Sequence, residues 1–118
     1  MAYLFLEYPK CSTCQKAKQW LKEHNIPFNE RHIVDNNPTA QELADWLQRS
    51  GLPLKRFVNT SGLLYKSMAL KDKLPEMTER EQLDLLATNG MLVKRPLLIA
   101  DGFVLAGFKA EEWQYKLA

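Results

Sequence analysis

The chain has few of the features that mark a membrane-spanning, secreted or nucleic-acid-binding protein. None of its apolar runs approaches the roughly 18 residues that a spanning helix needs. The first ten residues, MAYLFLEYPK, lack the basic start and long apolar stretch of a secretory signal, so we expect a cytoplasmic protein. Sixteen Lys and Arg against fourteen Asp and Glu leave a net charge of only +2. This balance gives no support for direct binding of nucleic acid.

Cysteine and histidine are scarce, with two of each. A chain of 118 residues can build its core without a disulfide or a metal, and cytoplasmic thiols are kept reduced. The cysteines therefore need another explanation. The positions of His24 and His32 after Cys14 do not match a zinc finger with two cysteines and two histidines, so we expect no metal site and no bound cofactor.

Glycine and proline, with five and six residues, are scattered along the chain, and no segment repeats. We therefore predict a single domain over residues 1–118. The apolar segment 2–8 predicts a buried strand, and the apolar face of residues 12–24 predicts a helix that begins at the cysteines. Residues 28–34 predict a second strand nearer a sheet edge. This order predicts a βαβ unit.

The middle of the chain has a helical pattern, and the last third returns to strands. Capping boxes at Thr39 and Thr78 predict helices that end at Gly51 and at Asn89-Gly90. Further elements are predicted as short helices over 53–57 and 63–70, strands over 97–100 and 103–106 joined by Asp101-Gly102, and a final helix over 110–117. Residues 37–90 are thus predicted to form a helical insertion between segments 1–36 and 91–118.

The cysteines form a C-x-x-C motif, Cys11-Ser12-Thr13-Cys14, where the first strand passes into the first helix. Unpaired N–H groups and the dipole at a helix N-terminus favour an anion, so we expect Cys11 to be partly thiolate and to act as a nucleophile. Cys14 lies one turn further on, close enough to pair with Cys11 after small adjustments. We therefore expect Cys14 to be the resolving thiol, which displaces the substrate from Cys11.

The residues alone leave alternative roles open for the two cysteines and for the segment Lys94-Arg95-Pro96. Cys14 could be a small buried residue on the apolar face of its helix, with Cys11 acting alone, or both cysteines could be inert. In Lys94-Arg95-Pro96, the arginine could bind an anion or be an ordinary solvated charge. Pro96 comes directly before the last hairpin, where a cis peptide bond is possible although uncommon.

The segments Tyr8–Ala17 and Lys94–Ile99, with the helical middle between them, resemble the ArsC/Spx family, and most closely its small arsenate-reductase-like (YffB/YusI-like) members. Phe57–Gly62 and Asn89–Pro96 are also similar to these members. The resemblance implies an α/β thioredoxin-like fold, in which a mixed four-stranded sheet (βαβ then ββα) carries the helical insertion. It also implies a nucleophilic Cys11.

The same resemblance implies roles around that nucleophile. It places a cis Pro96 opposite Cys11 and gives Arg95 the role of binding an oxyanion beside the thiolate. We assign Ser12, Thr13 and Pro96 to the binding site with these residues.

The chain departs from the arsenate reductases that it resembles at two positions. These reductases carry two further arginines, about where Asn59 and Gly107 stand here. A divalent oxyanion held by Arg95 alone would lose much of its charge-assisted binding, so we do not expect arsenate to be the physiological substrate. The expected function is a thiol–disulfide oxidoreductase, recycled by an external thiol reductant, either glutathione with glutaredoxin or thioredoxin.

The C-x-x-C motif also supports an alternative function. The C-x-x-C pair is shared with Spx, a regulator that binds RNA polymerase and senses disulfide stress through such a pair. A redox-sensing regulator with RNA polymerase as its partner is therefore the alternative function. In either case we expect a monomer.

Overall fold

The computed structural model describes residues 3–117 and is built around a four-stranded sheet. The strands are β1 (Tyr3–Glu7), β2 (Phe28–His32), β3 (Leu97–Ile99) and β4 (Val104–Ala106), in the order β2-β1-β3-β4. β1 pairs in parallel with β2 and antiparallel with β3, and β3 pairs antiparallel with β4. The predicted mixed α/β sheet of the thioredoxin-like fold is confirmed, and β2 lies at its edge.

Helices cover both faces of the sheet, because side chains alternate between the faces along each strand. The helices are α1 (Ser12–Glu23), α2 (Ala40–Ser50), α3 (Leu63–Ser67), α4 (Leu70–Lys73), α5 (Glu79–Leu86) and α6 (Ala110–Leu117). Phe5 and Leu98 pack with α1 and α6 on one face. Leu6 and Leu97 pack with α2 and α5 on the other. Within residues 3–117 no helix is long and apolar enough to cross a membrane.

Local sequence signals place most helix ends correctly. The capping boxes at Thr39 and Thr78 are both formed, and α2 ends at Gly51, which has a left-handed backbone with φ of 67°. The final helix spans the predicted residues. The hairpin is also confirmed, with strands one residue shorter at the turn, where the Ala100 N–H donates to the Phe103 carbonyl at 2.9 Å.

Two helix predictions in the insertion are corrected. The helix predicted over 63–70 is two short helices, α3 and α4, because Ala69 adopts a left-handed backbone with φ of 52° that interrupts the helix. The helix α5 ends at Leu86 rather than at Asn89-Gly90, and Asn89 instead caps a short 3₁₀ helix. Gly90 packs directly against the Ile33 carbonyl, where a Cβ atom has no room. This glycine therefore serves a close backbone contact rather than a helix end.

Candidate active site

Cys11 occupies the position expected of a helix-capping nucleophile. The chain turns after β1, with the Cys11 N–H donating to the Tyr8 carbonyl at 2.9 Å, and α1 begins at the next residue. The Cys11 Sγ accepts a hydrogen bond from the Cys14 N–H at 3.3 Å. This bond satisfies one of the N–H groups that a helix N-terminus leaves without a partner. It also places a positive backbone dipole at the sulfur, which stabilises a thiolate.

Cys14 differs from Cys11 in its exposure to solvent. Cys11 is half-buried, whereas Cys14 is fully buried on the inner face of α1 beside Ala17 and Leu21. Burial, followed by the hydrogen bond with Cys11, raises the pKa of the Cys14 thiol to about 12. Cys14 is thus held as a neutral thiol next to the more accessible sulfur of Cys11.

A cavity of about 540 Å³ opens beside Cys11. Cys11, Thr13 and Arg95 line it, so the structure brings together three of the residues that the sequence assigned to the site. Ser12 is exposed and Pro96 is buried, and neither is among the lining residues. The Arg95–Pro96 peptide bond is cis. The binding roles of Ser12 and Pro96 stay predictions.

The Arg95 guanidinium packs against Tyr8 and has hydrogen-bond donors without partners. Its Cζ atom lies 5.3 Å from the centre of the Tyr8 ring, within cation–π range. Its Nε and Nη1 atoms are buried and have no hydrogen-bond partner among residues 3–117. Buried donors without a partner are costly and rare in folded proteins. An anion in the cavity beside Cys11 would supply acceptors for them.

The cavity is more basic than the sequence indicated. Arg56, Lys94 and Lys109 line it together with Arg95, which was the one basic residue assigned to the site from the sequence. The three further cations come from segments that the fold brings together here. Lys94 had a local signal, since it adjoins Arg95, but Arg56 and Lys109 had none.

Asn59 and Gly107, at which the family resemblance leads one to expect arginines, also line this cavity. The Asn59 side chain is tied to the protein, with its Nδ2 donating to the Met91 carbonyl at 3.2 Å. Gly107 has φ of 77°, and a Cβ atom there would lie 3.0 Å from the Lys94 Cε. Both residues shape the wall of the cavity without adding charge. In the part of the chain that the structure describes, no cluster of three or more His, Cys, Asp and Glu could hold a metal.

Glu7, the last residue of β1, is a buried carboxyl. Its side chain is 5% exposed, and its Oε2 has no hydrogen-bond partner among the described residues. Burial, and then the neighbouring Glu30, raise the pKa of Glu7, although Lys18 opposes this shift. The folded protein therefore binds this proton more tightly than the unfolded chain does. The resulting stability is present at low pH and is lost as the pH rises through the pKa of the folded state.

Replacing Glu7 with glutamine is expected to raise the free energy of unfolding at neutral pH, because glutamine keeps the shape and removes the buried charge. The gain should shrink towards zero at about pH 4, where the carboxyl is largely protonated. Urea denaturation at both pH values measures it, with exposed Glu76→Gln as the control. An equal change at both pH values would contradict this assignment.

The sheet, the helices on its two faces and the C-x-x-C motif at a helix N-terminus define a thioredoxin-like α/β protein. The sequence profile of the ArsC family matches residues 6–115, and the chain belongs to this family. An ArsC family related protein from Bacteroides fragilis is 62% identical, with a TM-score of 0.94 over 98% of this chain and 97% of that one. A possible arsenate reductase from Streptococcus mutans is 43% identical, with a TM-score of 0.86 over 95% and 97% of the two chains.

Some proteins of similar sequence are named as regulators and others are not. YusI of Bacillus subtilis is 49% identical over 114 residues, which cover 97% of each chain. The regulatory protein MgsR of the same organism is 35% identical over 108 residues, 92% of this chain and 84% of MgsR. Global transcriptional regulators named Spx are also similar. The family resemblance is confirmed, and reductase-like and regulatory relatives both occur.

Proposed function

We propose that this protein is a thiol–disulfide oxidoreductase in which Cys11 is the nucleophile and Cys14 the resolving thiol. The observation that carries the proposal is the contrast between two adjacent sulfurs. Cys11 is half-buried at a helix N-terminus beside a basic cavity, and its Sγ accepts the Cys14 N–H at 3.3 Å. Cys14 is fully buried and held as a neutral thiol.

In the first step, the Cys11 thiolate attacks one sulfur of a substrate disulfide. A Cys11–substrate disulfide forms as the substrate S–S bond breaks, and the second substrate sulfur leaves as a thiolate. The Cys14 N–H and the N-terminal dipole of α1 favour the anionic nucleophile before the attack. Arg95 and the other cations of the cavity stabilise the departing thiolate.

In the second step, Cys14 attacks the Cys11 sulfur. As it attacks, its proton passes to the thiolate that left in the first step. The mixed disulfide removes the charge on Cys11, and with it one of the causes that raise the pKa of Cys14. The substrate leaves from Cys11 as a second thiolate, which takes a proton from water, and a Cys11–Cys14 disulfide remains. Two electrons have moved to the substrate, and an external thiol reductant, glutaredoxin with glutathione or thioredoxin, returns them.

A disulfide suits this site better than arsenate does. Arginine binds an oxyanion through planar, bidentate hydrogen bonds, whereas lysine acts as a point charge. Asn59 and Gly107 stand about where the resemblance to the arsenate reductases implies two further arginines. The cations that line the cavity with Arg95 are Arg56, Lys94 and Lys109. The second thiol, Cys14, is also supplied within the chain.

The proposal is tested by coupling the purified protein to NADPH through the thioredoxin or the glutaredoxin system. We expect 2-hydroxyethyl disulfide to be reduced well above the rate without protein. We expect arsenate to be reduced at least about tenfold less efficiently, as measured by kcat/KM, because Asn59 and Gly107 do not supply the two further arginines expected of an arsenate site. Turnover of neither substrate with either system, or a preference for arsenate, would contradict the proposal.

A redox-sensing regulator is the second candidate, favoured by the similarity to MgsR and to Spx. Its partner would be RNA polymerase. Co-purification of the reduced and oxidised protein with RNA polymerase separates the two functions. Retention that depends on oxidation, together with absent disulfide turnover, would replace the enzymatic function with the regulatory one.

A further inference from the structure

The cavity beside Cys11 continues into the helical insertion. A second cavity, of about 390 Å³, lies there with Val58, Leu70 and Leu74 in its lining. A third, of about 210 Å³, lies between the two, sharing Arg56 and Lys94 with the first and Lys55 with the second. Through these shared lining residues the three cavities form a series from Cys11 along the segment 55–61. We call it the insertion groove.

The insertion groove carries charge of one sign. Six cations line it: Arg56, Lys94, Arg95 and Lys109 near Cys11, and Lys55 and Lys71 towards the insertion. Within residues 3–117, no Asp or Glu lines any of the three cavities, and none of the six cations forms an ion pair. The charges are therefore available to an acidic partner.

The end of the groove furthest from Cys11 is apolar. Val58 and Leu70 are almost fully buried there, and the half-buried Leu74 and Tyr65 also line this cavity. An apolar pocket with a basic rim matches an apolar side chain flanked by carboxylates. A small disulfide would fill only the cavity of about 540 Å³ beside Cys11 and would leave the other two unused.

We propose that the insertion groove binds an extended acidic segment of a protein substrate, with the substrate disulfide at Cys11 and an apolar side chain in the pocket at Val58 and Leu70. This inference rests on the proposed function and names its substrate class. The electron balance is the one given above: the substrate disulfide gains two electrons, and Cys11 and Cys14 become oxidised. The cations raise the rate of encounter with an acidic chain.

Two synthetic peptides test the proposal. Each has one cysteine held as a disulfide with 2-mercaptoethanol and one leucine, in a run of glutamates or in a matched run of lysines. We expect kcat/KM for the acidic peptide to exceed that for the basic peptide by about tenfold or more, and to fall steeply as salt is added. Equal values for the two peptides would overturn the proposal.

Charge reversal locates the binding surface. In the double variant Lys55→Glu/Lys71→Glu, we expect kcat/KM for the acidic peptide to fall about tenfold relative to that for uncharged 2-hydroxyethyl disulfide. The double variant Lys22→Glu/Lys116→Glu, at two exposed residues outside the groove, makes the same change in net charge and should change this ratio less than about twofold. An equal loss in Lys22→Glu/Lys116→Glu would show general attraction rather than the groove and would overturn the proposal.

A binding measurement separates this inference from the proposed function. A labelled acidic peptide without cysteine is titrated with Cys11→Ser protein and followed by fluorescence anisotropy. Binding that Lys55→Glu/Lys71→Glu weakens supports the groove even if no disulfide is turned over. Absence of peptide binding, or binding of anionic lipid vesicles in its place, would overturn it while leaving the cysteine chemistry intact.

Discussion

Replacing Cys11 with serine is expected to reduce disulfide turnover to the rate without protein, because a hydroxyl at this position cannot form the thiolate that begins the reaction. The helix cap should survive, since serine is itself a favoured N-cap residue and can accept the Cys14 N–H. The coupled NADPH assay measures the loss, and circular dichroism confirms that the protein is folded.

Replacing Cys14 with serine should have a different result. The first step is preserved, and the protein should accumulate as a mixed disulfide with the substrate on Cys11, visible by mass spectrometry. Turnover should then depend on an external thiol to release the adduct. If Cys11→Ser were active and Cys14→Ser accumulated no adduct, the roles of the two cysteines would be reversed.

Replacing Trp113 with alanine is expected to cost about 3–5 kcal/mol in the free energy of unfolding. Trp113 is fully buried on α6, and its ring packs edge-on against Phe5, Trp20 and Phe108, with ring centres 6.4, 6.0 and 5.0 Å away. Its Nε1 donates to the Gly107 carbonyl at 3.2 Å. The side chain therefore joins the core to the turn that forms one wall of the cavity beside Cys11.

The variant Trp113→Phe separates the contribution of ring packing to the free energy of unfolding from that of the hydrogen bond. Phenylalanine keeps most of the ring contacts but leaves the buried Gly107 carbonyl without its donor, and the expected cost is about 1–3 kcal/mol. Tyr115→Ala on the same helix, where the side chain is 84% exposed, should change stability by less than about 0.5 kcal/mol. Urea denaturation under reducing conditions measures all three variants. A cost below about 1 kcal/mol for Trp113→Ala would contradict the structural role given to this ring.

Much of the fold followed from local signals in the sequence. The capping boxes at Thr39 and Thr78 act within a single helical turn, so residue type and spacing suffice to predict them. The position of Cys11 at the start of α1 follows from a strand pattern, a proline and a helical pattern in succession. The final hairpin was equally local, since Asp101-Gly102 separates two short apolar runs.

What the sequence could not predict depends on contacts between distant segments. Arg56 reaches the cavity beside Cys11 from the insertion, and Lys109 reaches it from the turn before α6. Gly90 resembled a helix end but serves its close packing against Ile33. Ala69 interrupts a predicted helix with a left-handed backbone that alanine rarely adopts, and no local pattern indicates it.

The central claim is that Cys11 and Cys14 act as one redox pair, and the mass of the intact protein after mild oxidation tests it most directly. Oxidised wild-type protein should lose two hydrogens, resist alkylation at both cysteines and regain both thiols on reduction. Cys14→Ser should instead carry an adduct on Cys11 when glutathione disulfide is the oxidant. A wild-type protein that carries a stable glutathione adduct on Cys11, with Cys14 still free to react once the protein is unfolded, would contradict the claim.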